Sequence, residues 1–190
     1  AGTSIALGLQ KLGVGVIVTE GGDSLYTEKS QECYKGESSG IELPYGIKGS
    51  RLRFYGGSTN CWGGMCGELN EDDFKERDWV PGSGWPINKE DLLPYYKKAA
   101  TFLGISYSSV KNPEGVDGFK KFDGLESQSL VHTKKMNFQN VFRSKFKNGK
   151  NIHLFLNANF LNFSRDDPFD KVNHIEVGSF SGERSKIQAK

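Results

Sequence analysis

The sequence predicts an α/β fold that finishes in an antiparallel β meander. Three observations point there. A helical apolar pattern runs directly into a β-branched strand near the start, a cluster of glycines sits between 56 and 64, and strand-like segments separated by turn residues take over after residue 150.

The elements follow in order. Over residues 3–12, Ile5, Leu9 and Leu12 fall on one helical face with Ala6 and Leu7 beside it; Thr3 or Ser4 suits the start and Gly13 the stop. Val14 to Thr19 is rich in β-branched residues and reads as a short buried strand, closed by Glu20-Gly21-Gly22. Residues 23–50 are polar and loop-rich, and 51–67 hold the glycine cluster. Residues 70–80 read as a short acidic helix capped by Asn70. Asp91 to Leu103 reads as a helix with Pro94 in its first turn and Gly104 at its end. Residues 105–130 are loop-like. Met136 to Phe146 places Phe138, Val141, Phe142 and Phe146 on one side of a helix. Ile152 to Phe163, Val172 to Val177 and Ile187 onward are then three strands, with turns at Asp166-Asp167-Pro168 and Ser181-Gly182. The expected organisation is a cofactor-binding domain over 1–67, an intervening helical and loop region over 68–150, and a return to the first domain over 151–190.

Composition narrows the function classes. A net charge of +2 makes no general case for nucleic acid or an anionic membrane surface. The longest apolar run, Val14 to Val18, is broken by Gly15 and is too short to cross a bilayer. Three cysteines, Cys33, Cys61 and Cys66, occur without a C-x-x-C spacing, which argues against a disulfide framework or a zinc site, so no metal is expected.

The first twenty residues carry the first chemical signal. A helix opening at Gly2-Thr3-Ser4 leads into a strand that ends in an acid, Glu20. That is the back half of a dinucleotide fingerprint: the third glycine allows close helix–strand packing, the helix N-terminus holds the pyrophosphate, and the acid takes the ribose hydroxyls. On this reading Gly2 is the third glycine and the first two precede the chain, which is expected to be cut short at both ends. The cluster Arg51 to Met65 is the second signal. Gly56, Gly57, Gly63 and Gly64, with Ser58, Thr59 and Asn60 between, leave backbone and small side chains free to lie against a flat anionic cofactor. Trp62 shields such a cofactor or packs in the core.

These residues resemble the glucose-methanol-choline family of flavoprotein oxidoreductases, which carry an N-terminal FAD fingerprint and then an arginine followed by Gly-Gly-Ser-Ser or Gly-Gly-Ser-Thr. Gly56-Gly57-Ser58-Thr59 and Gly63-Gly64 match that pattern. Asn60-Cys61-Trp62 is closest to the sugar-oxidising branch, the pyranose oxidases and the sugar and gluconate dehydrogenases. Where pyranose oxidase has a flavin-bonding histidine this chain has Cys61, so a histidyl link to the flavin is not expected. Asp78-Trp79, Ser83-Gly84-Trp85-Pro86-Ile87 and Asp91 to Tyr96 resemble the segment after the flavin loop. Asn157-Ala-Asn-Phe160 resembles the adenine-side strand, where the backbone at Phe160 contacts the adenine.

The resemblance implies an FAD/NAD(P)-binding Rossmann-like domain of the glutathione-reductase type, present in part. It implies FAD as cofactor and an alcohol or sugar as substrate, with hydride passing from a CH–OH group to the flavin. The electron acceptor is left open. The cofactor-binding residues implied are Gly2, Thr3, Ser4, Glu20, Gly21, Arg51, Gly56, Gly57, Ser58, Thr59, Asn60, Cys61, Trp62, Gly63, Gly64 and Phe160. The family's catalytic histidine lies near the C-terminus of a full-length member. His132, His153 and His174 do not stand in that context, so no catalytic residue is assigned and the fragment alone is expected to be inactive. Two alternatives remain: another FAD- or NAD-dependent oxidoreductase with a similar start, and a nucleic-acid or partner-binding module built on the basic, Phe-interleaved stretch from Lys134 to Lys150. Helical spacing places those rings on one packing face, which favours the core.

Overall fold

The computed structural model describes residues 1–40, 44–111, 130–165 and 172–188. The chain is mixed helix and sheet and divides into two compact units. One comprises Ala1–Cys61 with Asn137–Lys190, and the other comprises Trp62–Met136. The turn expected at 166–168 and the loop expected over 112–129 lie outside the described residues.

In the first unit, helix α1 (Gly2–Lys11) is followed by strand β1 (Val16–Thr19). Ala1 stands at the N-cap and makes no side-chain cap, so neither Thr3 nor Ser4 starts the helix; Gly13 at φ +79° ends it as expected. The face that α1 buries is Ala6 and Leu7. The expected face of Ile5, Leu9 and Leu12 is open to solvent, and Ile17 in β1 is 46% exposed, so only Val16 of that strand is fully buried. Two short helices, α2 (Glu28–Gln31) and α3 (Gly46–Gly49), interrupt the expected loop.

The sheet differs from expectation in a way that matters for the site. The run expected as one strand from Ile152 to Phe163 is two. Strand β4 (Ile152–Phe155) pairs parallel with β1, Val16 opposite Ile152 and Thr19 opposite Phe155. Strand β5 (Asn159–Arg165) instead pairs antiparallel with β6 (Val172–Gly178), which pairs with β7 (Arg184–Ile187). The break falls at Asn157, whose φ of +55° no strand residue takes. The expected antiparallel meander is present as β5-β6-β7, but its last strand ends at Ile187, where the sequence predicts it to begin. Helix α6 (Phe138–Asn148) packs on β4 and buries Phe142 and Phe146, as its periodicity predicts. Its N-cap is Asn137, which accepts from the Asn140 amide at 3.0 Å.

The second unit holds β2 (Met65–Cys66) paired antiparallel with β3 (Val131–His132), and the helices α4 (Lys89–Leu103) and α5 (Tyr107–Lys111). The acidic helix expected over 70–80 is a single 3-10 turn, Glu71–Asp73, closed by a reciprocal Asn70–Asp73 cap. Helix α4 starts earlier than expected because Asn88 and Asp91 form a capping box, which moves Pro94 beyond the first turn. Gly104, at φ +69°, ends it. No helix among the described residues is long and apolar enough to cross a membrane.

Candidate functional site

Two parallel strands leave their carboxyl ends on the same side, and the crevice beyond those ends is where open α/β sheets take ligands. Here β1 runs into Glu20-Gly21-Gly22-Asp23 and β4 into Leu156-Asn157-Ala158-Asn159. Backbone bonds lock the two exits together: Glu20 N donates to Phe155 O at 2.9 Å, Ala158 N to Glu20 O at 2.9 Å, and Asn157 N to Gly22 O at 2.9 Å. The left-handed Asn157 makes this crossing possible, and its side-chain amide donates to the Asp23 carboxylate at 3.0 Å.

The Glu20 carboxylate is half-buried. Its Oε1 accepts from the Gly22 amide at 2.8 Å, which aims the group back over the turn. Gly22 is glycine for a steric reason: a Cβ there would overlap the Arg53 carbonyl and stand 2.6 Å from Cα of Phe54, whereas one on Gly21 would meet the Arg53 guanidinium, the movable end of a side chain. Arg53 is the residue that sequence reasoning missed. Its Nη1 donates to Ser30 Oγ at 2.9 Å and its Nη2 to Asn159 Oδ1 at 2.7 Å. Arg51, the expected cofactor arginine, is exposed and lies over the Tyr34 ring at 4.5 Å. Nothing in the local sequence distinguishes the two arginines.

Arg53 and Asn159 also line a cleft of about 430 Å³ with Phe160, Ser179, Phe180 and Arg184. That volume falls in the range of small-molecule sites. Phe160, predicted as a contact residue, is 58% exposed at its edge.

Asp23 closes the turn. The Asn157 amide, then the Ser24 backbone N–H and hydroxyl, hold its carboxyl below the ordinary value. A depressed pKa stabilises the fold above the unfolded-state value and is lost as pH falls through the folded one. We therefore expect stability to decline below about pH 4, and Asp23→Asn to flatten that decline. Urea unfolding between pH 5 and pH 2 checks it; identical slopes in both chains would exclude Asp23 as a contributor.

The glycine cluster is divided between the units. Gly56–Cys61 belongs to the first, where Gly57–Asn60 is a 3-10 turn entered through Gly56 at φ +97°. A Cβ on Gly56 would stand 2.9 Å from the Asn60 amide. The polar side chains here serve the chain itself. Ser58 Oγ accepts from Leu52 N at 3.2 Å, Thr59 Oγ1 donates to Gly56 O and accepts from Phe138 N, and Asn60 Nδ2 donates to Tyr55 O at 3.1 Å. Asn60 Oδ1 is buried with no partner among the described residues. Cys61 is exposed, and its thiol donates to Ser58 O.

Trp62, Gly63 and Gly64 belong to the second unit. Trp62 Nε1 donates to Met136 O at 2.7 Å. Gly64 is buried at φ +73°, where a Cβ would stand 3.0 Å from Thr133 O; Gly63 is open to solvent. Gly2, expected to admit a close helix–strand contact, has nothing within 4 Å of a Cβ placed on it among the described residues. Thr3 is half-buried, and Ser4 Oγ donates back to Ala1 O at 2.8 Å. His132 pairs with Gly63 O at 3.2 Å, and His153 and His174 lie in β4 and β6. Compared with known proteins, the chain matches no family model and no curated protein.

Proposed function

We propose that the first unit is part of a Rossmann-like FAD-binding domain, and that the whole protein is an FAD-dependent oxidoreductase acting on the CH–OH group of an alcohol or sugar. The observation that carries this reading is the placement of Glu20. It stands at the carboxyl end of a strand that follows a helix and runs parallel to a second strand, immediately before a turn of two crowded glycines. That is where an acid binds the ribose of an adenine dinucleotide.

The residues present fit the adenosine end of such a cofactor. Glu20 would accept from ribose hydroxyls, Arg53 would add positive charge beside Gly21, and the Phe160 cleft would take the base. The N-terminus of α1 has no side-chain cap, so its first N–H groups remain for a phosphate. At Gly56–Asn60 the Thr59 hydroxyl and the Asn60 Nδ2 group donate within the chain, whereas Ser58 Oγ only accepts, so this turn would contribute backbone shape and the exposed Ser58 hydroxyl as a donor. When bound, FAD supplies the hydride acceptor. The residues described here bind and orient it; none is placed as a base for the substrate hydroxyl.

Equilibrium titration of the chain with FAD, ADP and FMN tests the reading. The expected result is that FAD and ADP compete for one site and FMN does not. Glu20→Ala should weaken both by about tenfold, the value of hydrogen bonds to a charged group. Equal binding of FMN, or affinity for FAD that Glu20→Ala leaves unchanged, would overturn it.

A further inference from the structure

A second cleft, of about 230 Å³, lies beside α6, where the Tyr55 ring meets Phe146 edge-on at 6.1 Å. Its apolar walls are Phe146, Leu154 and Leu156, and its polar lining is Ser24 and Gln139, which bond to each other, with the cations Arg143 and Lys147, one helical turn apart on α6. Both cations are exposed, and neither has an ion-pair partner among the described residues. Tyr55 is only 9% exposed, and its hydroxyl is buried with no hydrogen-bond partner among the described residues.

A buried hydroxyl that no protein group satisfies takes an ordered water or a ligand as its partner. Burial raises the Tyr55 phenol above its ordinary value and the nearby Arg143 charge opposes this, so near neutral pH the group is a protonated donor. One neutral donor, two cations and an apolar wall define a complementary ligand: an anionic head on a compact apolar body.

We propose that this cleft binds a small organic oxyanion, an aromatic or branched carboxylate or phosphate ester. The head is held by Arg143, Lys147 and the Tyr55 hydroxyl, and the body lies against Phe146 and Leu154. The proposal does not rest on the flavin reading.

Calorimetric titration of the full chain with benzoate, phenyl phosphate and benzyl alcohol tests it. Saturable binding of benzoate or of phenyl phosphate is expected, whichever binds tighter naming the head group, with benzyl alcohol at least tenfold weaker. Arg143→Gln should weaken the anion by about tenfold. Tyr55→Phe should weaken it severalfold while leaving the melting temperature unchanged or higher, because the hydroxyl has no partner to lose. Absence of saturation by either anion, affinity indifferent to Arg143→Gln, or a Tyr55→Phe chain that loses stability without losing affinity would overturn the proposal.

Discussion

A Gly22→Ala chain is expected to be destabilised by about 3 kcal/mol or more, enough to leave a marginal domain largely unfolded. Gly22 is buried, and the atoms its new methyl group would strike are backbone: the Arg53 carbonyl and Cα of Phe54. A side chain in the way can rotate aside, but a backbone cannot without moving its whole segment. Relief would have to come from Gly22 itself, whose amide serves Glu20 and whose carbonyl takes the Asn157 amide. Moving it uncouples the exit of β1 from the exit of β4. Gly2→Ala is the matched control. With open space around it and no positive φ, it should change stability by no more than about 0.5 kcal/mol. Urea unfolding of both chains measures the contrast, and a Gly22→Ala chain within about 1 kcal/mol of the parent would refute the packing account.

The contrast between these two glycines shows how much of the site was legible in the sequence. Motif spacing singled out Gly2 and Glu20 together, and the structure keeps Glu20 at the end of β1 while giving Gly2 no close neighbour among the described residues. The sequence presents Gly22 only as a strand-closing residue, yet it is crowded by backbone. What crowds it is Arg53, thirty-one positions on in the chain, and no local pattern reports such a contact. The same limit hid Arg53 behind Arg51. The two share a composition and a neighbourhood, both near the Tyr34 ring, and only tertiary packing gives Arg53 its bonds to Ser30 and Asn159. The cleft at Tyr55 was equally out of reach, because an orphaned hydroxyl is defined by what is missing around it.

Elements with a strong local signature were read well. In α6 the spacing of Phe138, Phe142 and Phe146 states both the helix and its buried face. In α4 the Gly104 stop was plain, but the apolar run from Leu92 masked the Asn88–Asp91 box that starts the helix earlier. Strand pairing was the weakest point. Ile152 to Phe163 is nearly continuous in strand-forming residues, so nothing in its period marks the change of partner. The only local sign is Asn157-Ala158-Asn159, small and polar, where the chain crosses over Glu20. Parallel pairing of β4 with a strand more than 130 positions earlier is non-local, and periodicity is blind to it.

That change of partner leads to the second large effect. Ile152→Ala is expected to lower stability by about 3–4 kcal/mol, in the upper range for deleting a buried aliphatic side chain. Ile152 is 1% exposed, the most deeply buried large side chain described. It sits opposite Val16, and its Cγ2 lies where a Cβ on Gly149 would go, so it fills the corner where α6 turns into β4. The surrounding atoms belong to regular elements and cannot collapse into the gap, which is why the expected loss exceeds simple transfer from water. Ile152→Val should lose about 1 kcal/mol, and Phe155→Ala, at a 51% exposed position of the same strand, less than about 1 kcal/mol. Leu154 separates the two possible arrangements. In one uninterrupted meander strand, alternation would bury Ile152, Leu154 and Leu156 alike, and their alanine variants would lose similar amounts. In the observed arrangement Leu154 is half-buried at the wall of a cleft, so Leu154→Ala should lose no more than about half as much as Ile152→Ala. Equal losses at the two positions would place β4 back in the meander and remove the parallel pair on which the Glu20 site depends.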